Sequence, residues 1–169
     1  MKDEQKPDFA EVYDRHFTRV YNYVRWRVSG TAAAEDAVSR AFERALDAWD
    51  SYDPARAPVD AWLFAIARNA VLDHFRAAAR AALPLEAAGD PSGGDAPAGE
   101  ALERDESLRE LAAALDKLGE REREVLALRF GAGMSHGQIA EHLGIEAGNA
   151  AVIAHRATAK LREVMEKGR

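Results

Sequence analysis

Apolar residues recur along this chain at helical spacing and nowhere alternate for long in the strand sense. Phe9, Val12, Tyr13, Phe17, Val20, Tyr21, Val24 and Val28 follow an i, i+3, i+4 rule that predicts one long helix, ended by Ser29 and Gly30. A second helix is expected after Thr31, a candidate cap, with Glu35 and Asp36 in its early turns where the helix dipole favours acids. Val38, Phe42, Ala45, Leu46 and Trp49 give it one apolar face. The turn-rich segment WDSYDPARAP, from Trp49 to Pro58, leads to a third helix whose first turn suits Pro58. Trp62, Leu63, Phe64, Ile66, Val71, Leu72 and Phe75 leave little polar surface in its first half, so Trp62 and Phe64 read as core aromatics more readily than as stacking platforms. Arg68, Arg76 and Arg80 share a stripe on this helix, with Asn69 and Asp73 beside it.

The stretch from Leu83 to Gly99, LPLEAAGDPSGGDAPAG, holds three of the six Pro and four of the twelve Gly. With no aromatic or β-branched residue, it reads as a flexible acidic linker. Beyond it, Leu108, Leu111, Leu115 and Leu118 mark a helix closed by Gly119. Val125, Leu126, Leu128 and Phe130 mark the next, closed by Gly131. Ser135 and Gln138 match a capping box for a short helix through Ile139, Ala140 and Leu143, which Gly144 breaks before a long final helix through Val152, Leu161 and Val164. Short helix, glycine turn, second helix is the grammar of a helix-turn-helix, although plain helical hairpins share it. The expected fold is therefore all-α: two small helical domains, residues 1–82 and 108–169, joined by an acidic linker over residues 83–107, the second domain a helix-turn-helix.

Charge refines this division. The 169 residues carry a formal net charge of -6, which alone argues against a free-standing binder of nucleic acid. Residues 1–80 contribute -1, residues 81–120 contribute -7 and residues 121–169 contribute +2, so the acidity belongs to the middle of the chain. The absence of Cys removes disulfides, thiolate metal sites and a cysteine nucleophile. The charged start MKDEQKPDFAEVYDR is unlike a secretory signal, and no run approaches the ~18 apolar residues of a membrane span, so a cytoplasmic location without membrane insertion is expected. The five His do not converge by spacing; His136 and His142 fall on different helix faces, which disfavours zinc ligation. Without a phosphate loop, a nucleophile elbow or a catalytic carboxylate pair, no enzymatic activity, metal or cofactor is expected.

Three segments occur in order: AEDAVSRAFERALDAWD (residues 34–50), WLFAIARNAVLDHFR (62–76) and LGEREREVLALRFGAGMSHGQIAEHLGI (118–145). Together they resemble the extracytoplasmic-function (ECF) sigma factors of bacterial RNA polymerase. The resemblance implies an alternative sigma factor that binds core RNA polymerase, recognises and melts promoter DNA, and starts transcription. It places Asp36, Ser39, Phe42 and Glu43 on a helix docked to the clamp helices of the largest polymerase subunit. Ser39 stands where the family often has Gln. It also makes residues 50–57 the loop that reads the −10 element, with Tyr52 and Arg56 for base and phosphate, because a melted strand offers bases to aromatics and phosphates to Arg. By residue type alone the stripe of Arg68, Asn69, Asp73, Arg76 and Arg80 fits a solvated helix face equally well; the resemblance assigns it to −10 DNA, or Asn69 and Asp73 to internal hydrogen bonds.

The final helix would read the −35 element through Asn149, Ala151, Val152, His155, Arg156 and Lys160. Here the chain departs from the family pattern. Relatives commonly show Thr-Val-Lys/Arg-Ser-Arg where this chain has Asn149-Ala150-Ala151-Val152-Ile153, and Gln138 replaces a common Glu. Loss of bidentate donors, each worth ~1–3 kcal/mol of discrimination, implies weak or A/T- and shape-dependent reading, or a face turned to protein. The family also implies contacts to the polymerase β-flap and to an anti-sigma factor, and a linker path through the polymerase cleft. Two rivals remain at this point: a sigma-like decoy that binds polymerase or anti-sigma factor without efficient −35 reading, and a stand-alone helix-turn-helix regulator with salt-sensitive duplex binding.

Overall fold

A computed structural model describes residues 6–82 and 100–168 of the chain. Its helices are α1 (Phe9–Arg27), α2 (Thr31–Asp47), α3 (Val59–Ala81), α4 (Glu100–Asp116), α5 (Glu120–Leu126), α6 (His136–Leu143) and α7 (Ala147–Lys167). A 3₁₀ turn spans Trp49–Ser51 and a π-helical turn, Ala127–Gly131, continues α5. No strand occurs among the described residues. No helix among them is long and apolar enough to cross a membrane. Of the expected linker, residues 83–99 lie outside the described residues; from Glu100 onward the chain is helical, so α4 starts before Leu108.

Local chemistry accounts for most of these boundaries. The Ser135 hydroxyl accepts from the Gln138 N–H (3.2 Å) while the Gln138 side chain accepts from the Ser135 N–H (2.9 Å), the reciprocal cap expected for α6. Gly144 ends α6 at φ 65°, a left-handed conformation that glycine adopts without steric cost. Three boundaries differ from expectation. Thr31 lies inside α2, which Gly30 precedes at φ 87°, and no side chain caps that end. Pro58 is the residue before α3 rather than within its first turn. Gly119 precedes α5, and its N–H donates to the Glu122 carboxylate (2.8 Å), so it opens a helix rather than closing one.

α1 is the hub. It packs on α2 and α3 on one side and on α5 and the π-helical turn on the other. Its buried face is Val12, His16, Val20, Tyr23, Val24 and Arg27, whereas Tyr13 and Phe17 lie exposed on a second apolar face. One hydrophobic cluster therefore combines Val20, Val24, Phe42, Leu63 and Phe64 from the N-terminal half with Val125, Leu128, Met134 and Ile139 from the C-terminal half. A smaller cluster, including Leu115, Leu118, Leu126 and Leu161, holds α4 to α5 and α7. On α7 the inward positions are Ala150, Ala154, Ala157 and Leu161. Small side chains at this spacing let α7 lie close to its neighbours and leave its other face outward.

A polar clasp fixes the start of α3. The Asp60 carboxylate accepts from the buried His16 ring and from Arg19 (2.7 Å), and His16 in turn bonds the Val12 carbonyl through Nδ1 (2.8 Å). Hydrogen bonding to His16, opposed by partial burial and reinforced by Arg19, holds the Asp60 carboxyl far below the usual carboxylate range. A carboxylate with a lowered folded pKa stabilises the fold above its unfolded value, about 4, and loses that contribution as pH falls below it. Asp60→Asn is accordingly expected to cost on the order of 1 kcal/mol at pH 7 after allowance for solvent screening, and less at pH 3, between the unfolded and the lowered folded value, where part of that contribution is already lost. Urea melts of both proteins at the two pH values check this; an equal loss at both would remove the charge-based explanation.

Candidate nucleic-acid interface

The loop after α2 is pinned by aromatic packing. Tyr52 is 7% exposed, stacks on Trp49 (centroids 5.1 Å apart) and meets Trp62 at 4.8 Å. Its hydroxyl donates to the Ala57 carbonyl (2.9 Å). Tyr52, expected to meet a base, thus packs its ring on Trp49 and Trp62 and gives its hydroxyl to the loop's own backbone. Asp53 shapes the tip by accepting from the Ala55 N–H (2.9 Å), and Arg56 projects from it exposed. Phe64 is fully buried and Trp62 half-buried, as core aromatics should be.

The α3 stripe divides into three environments. Asn69, Arg76 and Arg80 are exposed. Asp73 pairs with Arg44 of α2 (2.7 Å) and with Arg76 (3.0 Å), which lowers its pKa, the Arg44 hydrogen bond first. It therefore ties α2 to α3 and steadies Arg76, which matches the internal hydrogen-bonding alternative. Arg68 turns away from Arg76 and Arg80 toward Glu124 of α5 (3.5 Å).

On α7 the outward face carries Asn149, Val152, His155, Arg156 and Lys160, with Ala151 partly covered. Val152 is 45% exposed, a large apolar side chain on a face otherwise open to a partner. Lys160 bonds Glu122 of α5 (3.1 Å) while its side chain stays largely exposed.

Three of the four residues assigned to polymerase docking share a groove between α1 and α2. Ser39, Phe42, Glu43 and Leu46 face Phe9, Tyr13 and Asp14 across it. Phe42 forms its floor, with the Tyr13 and Phe17 rings at 4.7 and 5.8 Å, and Leu46 stands 56% exposed at the rim. Asp36 lies outside the groove, paired with Arg40 (2.9 Å). Tyr13, Phe17 and Leu46 were not singled out from sequence for this face. The signal was present as the second apolar stripe of α1.

Sequence reasoning also missed the contact between the two halves. Glu124, 4% exposed, accepts from the Tyr23 hydroxyl (2.8 Å) and pairs with Arg27 (2.9 Å), whose guanidinium also bonds Glu120 and lies over the Phe75 ring at 5.4 Å. Burial and then the Glu124 charge push the Tyr23 hydroxyl well above its ordinary pKa. Trp26 stacks on Phe130 at 5.7 Å, and Arg19 donates to the Ala132 carbonyl (2.8 Å). His142 of α6 is half-buried; that burial, and then the Arg68 charge, lower its pKa.

Residues 12–81 match the family model for sigma-70 region 2, and residues 114–163 that for sigma-70, region 4. The RNA polymerase sigma factor CarQ of Myxococcus xanthus is 31% identical over 98% of this chain and 93% of its own length. The ECF RNA polymerase sigma factor BldN of Streptomyces coelicolor is 34% identical over 93% of this chain, which spans 60% of that relative. Among solved structures, CnrH in complex with the cytosolic domain of CnrY aligns over 95% of this chain and 89% of its own, with TM-score 0.71 and 25% identity. RpoE in complex with the anti-sigma factor NepR, from Bartonella quintana, shares the fold at TM-score 0.69 and 22% identity, over 96% and 99% of the two chains. The two modules thus define a transcription factor built from sigma regions 2 and 4. The chain belongs to the ECF family of RNA polymerase sigma factors.

Because Tyr52 scaffolds its loop, Tyr52→Phe is expected to lower stability by about 1 kcal/mol, the usual net worth of one hydrogen bond, while Arg56→Ala leaves stability within about 0.5 kcal/mol. Thermal melts of the two variants distinguish these roles; equal effects would mean that the Tyr52 hydroxyl does not anchor the loop.

Proposed function

We propose that the chain is an alternative sigma factor that delivers core RNA polymerase to its promoters and opens them, working in the cytoplasm without catalysis of its own. The single observation that carries this reading is the groove formed by Ser39, Phe42, Glu43 and Leu46 with Tyr13 of α1, on the module that matches sigma-70 region 2. An apolar floor with an acidic rim suits a helical, partly basic protein surface, here the polymerase clamp helices. The exposed Arg56, Asn69, Arg76 and Arg80 serve the −10 strand, with Asp73 as a positioning residue. Asn149, Val152, His155 and Arg156 meet the −35 major groove, Ala151 lying at its margin. Asn is suited to adenine and Val152 to a thymine methyl, so A·T pairs are the favoured −35 readout. An anti-sigma factor, the partner of RpoE in the related structure, is the proposed regulator, and the β-flap the docking place for the C-terminal module.

The alternative of a sigma-like decoy draws on the α7 face, where Val152 stands exposed and Lys160 is engaged by Glu122. Run-off transcription with purified core polymerase separates the two. A promoter-specific transcript is expected; polymerase binding with no transcript from any genomic template would favour the decoy.

Two substitutions test the faces separately. Leu46→Glu should weaken core-polymerase affinity on the order of tenfold, about 1.4 kcal/mol, with helix content unchanged; unaltered affinity in a pull-down titration would misplace the docking face. Arg76→Ala with Arg80→Ala should lower open-complex formation and flatten its salt dependence while leaving core binding intact. Loss of core binding in that double variant would contradict the assignment of α3 to DNA.

A further inference from the structure

Where α2 passes into the loop of residues 50–57, the helix end needs a cation and its own last turn does not supply one. Arg44, the basic residue of that turn, is committed to Asp73 of α3 (2.7 Å). Lys6, which precedes α1, takes the place. Its half-buried side chain donates from Nζ to the Trp49 carbonyl, and the ammonium stands 4.9 Å from the centre of the Trp49 ring. Carbonyl and ring together offset the cost of drawing that charge partly out of water. The same carbonyl accepts from the Tyr52 N–H (3.1 Å), the bond that turns the chain into the loop. Around the Trp49 ring the neighbouring elements converge: Phe9 of α1 at 5.3 Å, Tyr52 stacked at 5.1 Å and Trp62 of α3 at 5.7 Å.

We infer that Lys6 is a positioning residue of this loop: held on both the ring and the carbonyl of Trp49, it fixes the conformation from which Arg56 meets the promoter strand. The promoter half of this inference rests on the −10 reading of the loop given above; the hold of Lys6 on Trp49 does not. The far end of the loop is anchored by the Tyr52 hydroxyl on the Ala57 carbonyl and by Asp60 on His16 and Arg19. At the near end Lys6 and Phe9 play that part, and of these two side chains Lys6 makes the directional bond to the backbone. That bond orients the carbonyl on which the Tyr52 turn depends. A direct contact from Lys6 to DNA would require the ammonium to give up both the carbonyl and the ring. The 43 residues between Lys6 and Trp49 hide this pairing from helical periodicity.

Two measurements on the full chain test this, with Lys6→Met, which keeps the apolar stem without the charge, and Lys6→Arg, which keeps the charge and the donor. Arg56 is exposed and followed by Ala57, so trypsin cutting between them, followed by mass spectrometry, reports the order of the loop without DNA or polymerase. Lys6→Met should be cut on the order of tenfold faster than the unaltered chain, the combined worth of a cation–π contact and a hydrogen bond, and Lys6→Arg at close to the original rate. Run-off transcription from a promoter mapped on genomic template, and from the same promoter with single −10 bases changed, then gives a discrimination ratio. In Lys6→Met that ratio should fall about fivefold, the low end of what one base contact supplies, with recovery in Lys6→Arg. Core-polymerase affinity should stay within about twofold, because Lys6 is not among the residues lining the docking groove. Equal cutting after Arg56 in all three proteins overturns the inference, as does a discrimination ratio that Lys6→Met leaves unchanged. A uniform loss of transcript from every −10 sequence with the loop still protected makes Lys6 a phosphate contact instead and also overturns it. No transcript from the unaltered chain counts against the sigma reading alone, and the trypsin rates then decide whether Lys6 holds the loop.

Discussion

A buried arginine and a buried glutamate govern how this chain folds over itself. Arg27 has no exposed side-chain surface and Glu124 almost none, so these two desolvated charges depend chiefly on each other, with Glu120 as a second partner of Arg27. Removing one member of such a pair costs about 3–5 kcal/mol, because the survivor remains buried and uncompensated. The two lie on different modules, and the requirement that they meet sets the register of α5 against α1. Tyr23 completes the arrangement by donating to the same carboxylate, and the Phe75 ring covers the guanidinium face.

That constraint positions everything with a functional role. With α1 held between α2, α3 and the π-helical turn, its second apolar face is left to Tyr13 and Phe17, which turn the α1–α2 edge into an open groove. α3 presents Arg76 and Arg80 to solvent and sets the half-exposed Arg68 beside Glu124 of α5. α7, packed through alanines, keeps its opposite face clear. The charge distribution fits the same picture: residues 81–120 carry -7, while residues 1–80 and 121–169 carry -1 and +2. Modules of that kind hold DNA weakly unaided, as expected of a subunit that depends on polymerase for its grip.

What could be read from sequence was what local chemistry determines. The Ser135–Gln138 cap, the Gly144 turn and the long α1 and α3 periodicities all depend on residues within a few positions of one another. Phe42 and Glu43, which the resemblance puts on a docking helix, line the α1–α2 groove, and Asp73 makes the internal pairs that one of its two readings allows. The failures share a cause. Tyr52 looked like an exposed aromatic in a polar loop because Trp49 and Trp62, which enclose it, approach only in three dimensions. Arg27 and Glu124 are not singled out by the sequence pattern at all. Their roles depend on contacts 93 and 101 residues apart, to which helical periodicity is blind. Gly131 read as a helix stop, whereas its lack of a side chain serves the approach to Tyr23.

The central claim is that the buried contact of Arg27 and Tyr23 with Glu124 holds α1 against α5. Hydrogen–deuterium exchange of the amides of Asn22–Arg27 and Glu124–Met134, measured for the unaltered chain and for Glu124→Ala, tests it most directly. Strong protection of both segments in the unaltered chain, with loss of protection over both in the variant, is the expected result. Protection already absent in the unaltered chain, or unchanged in the variant, would contradict it.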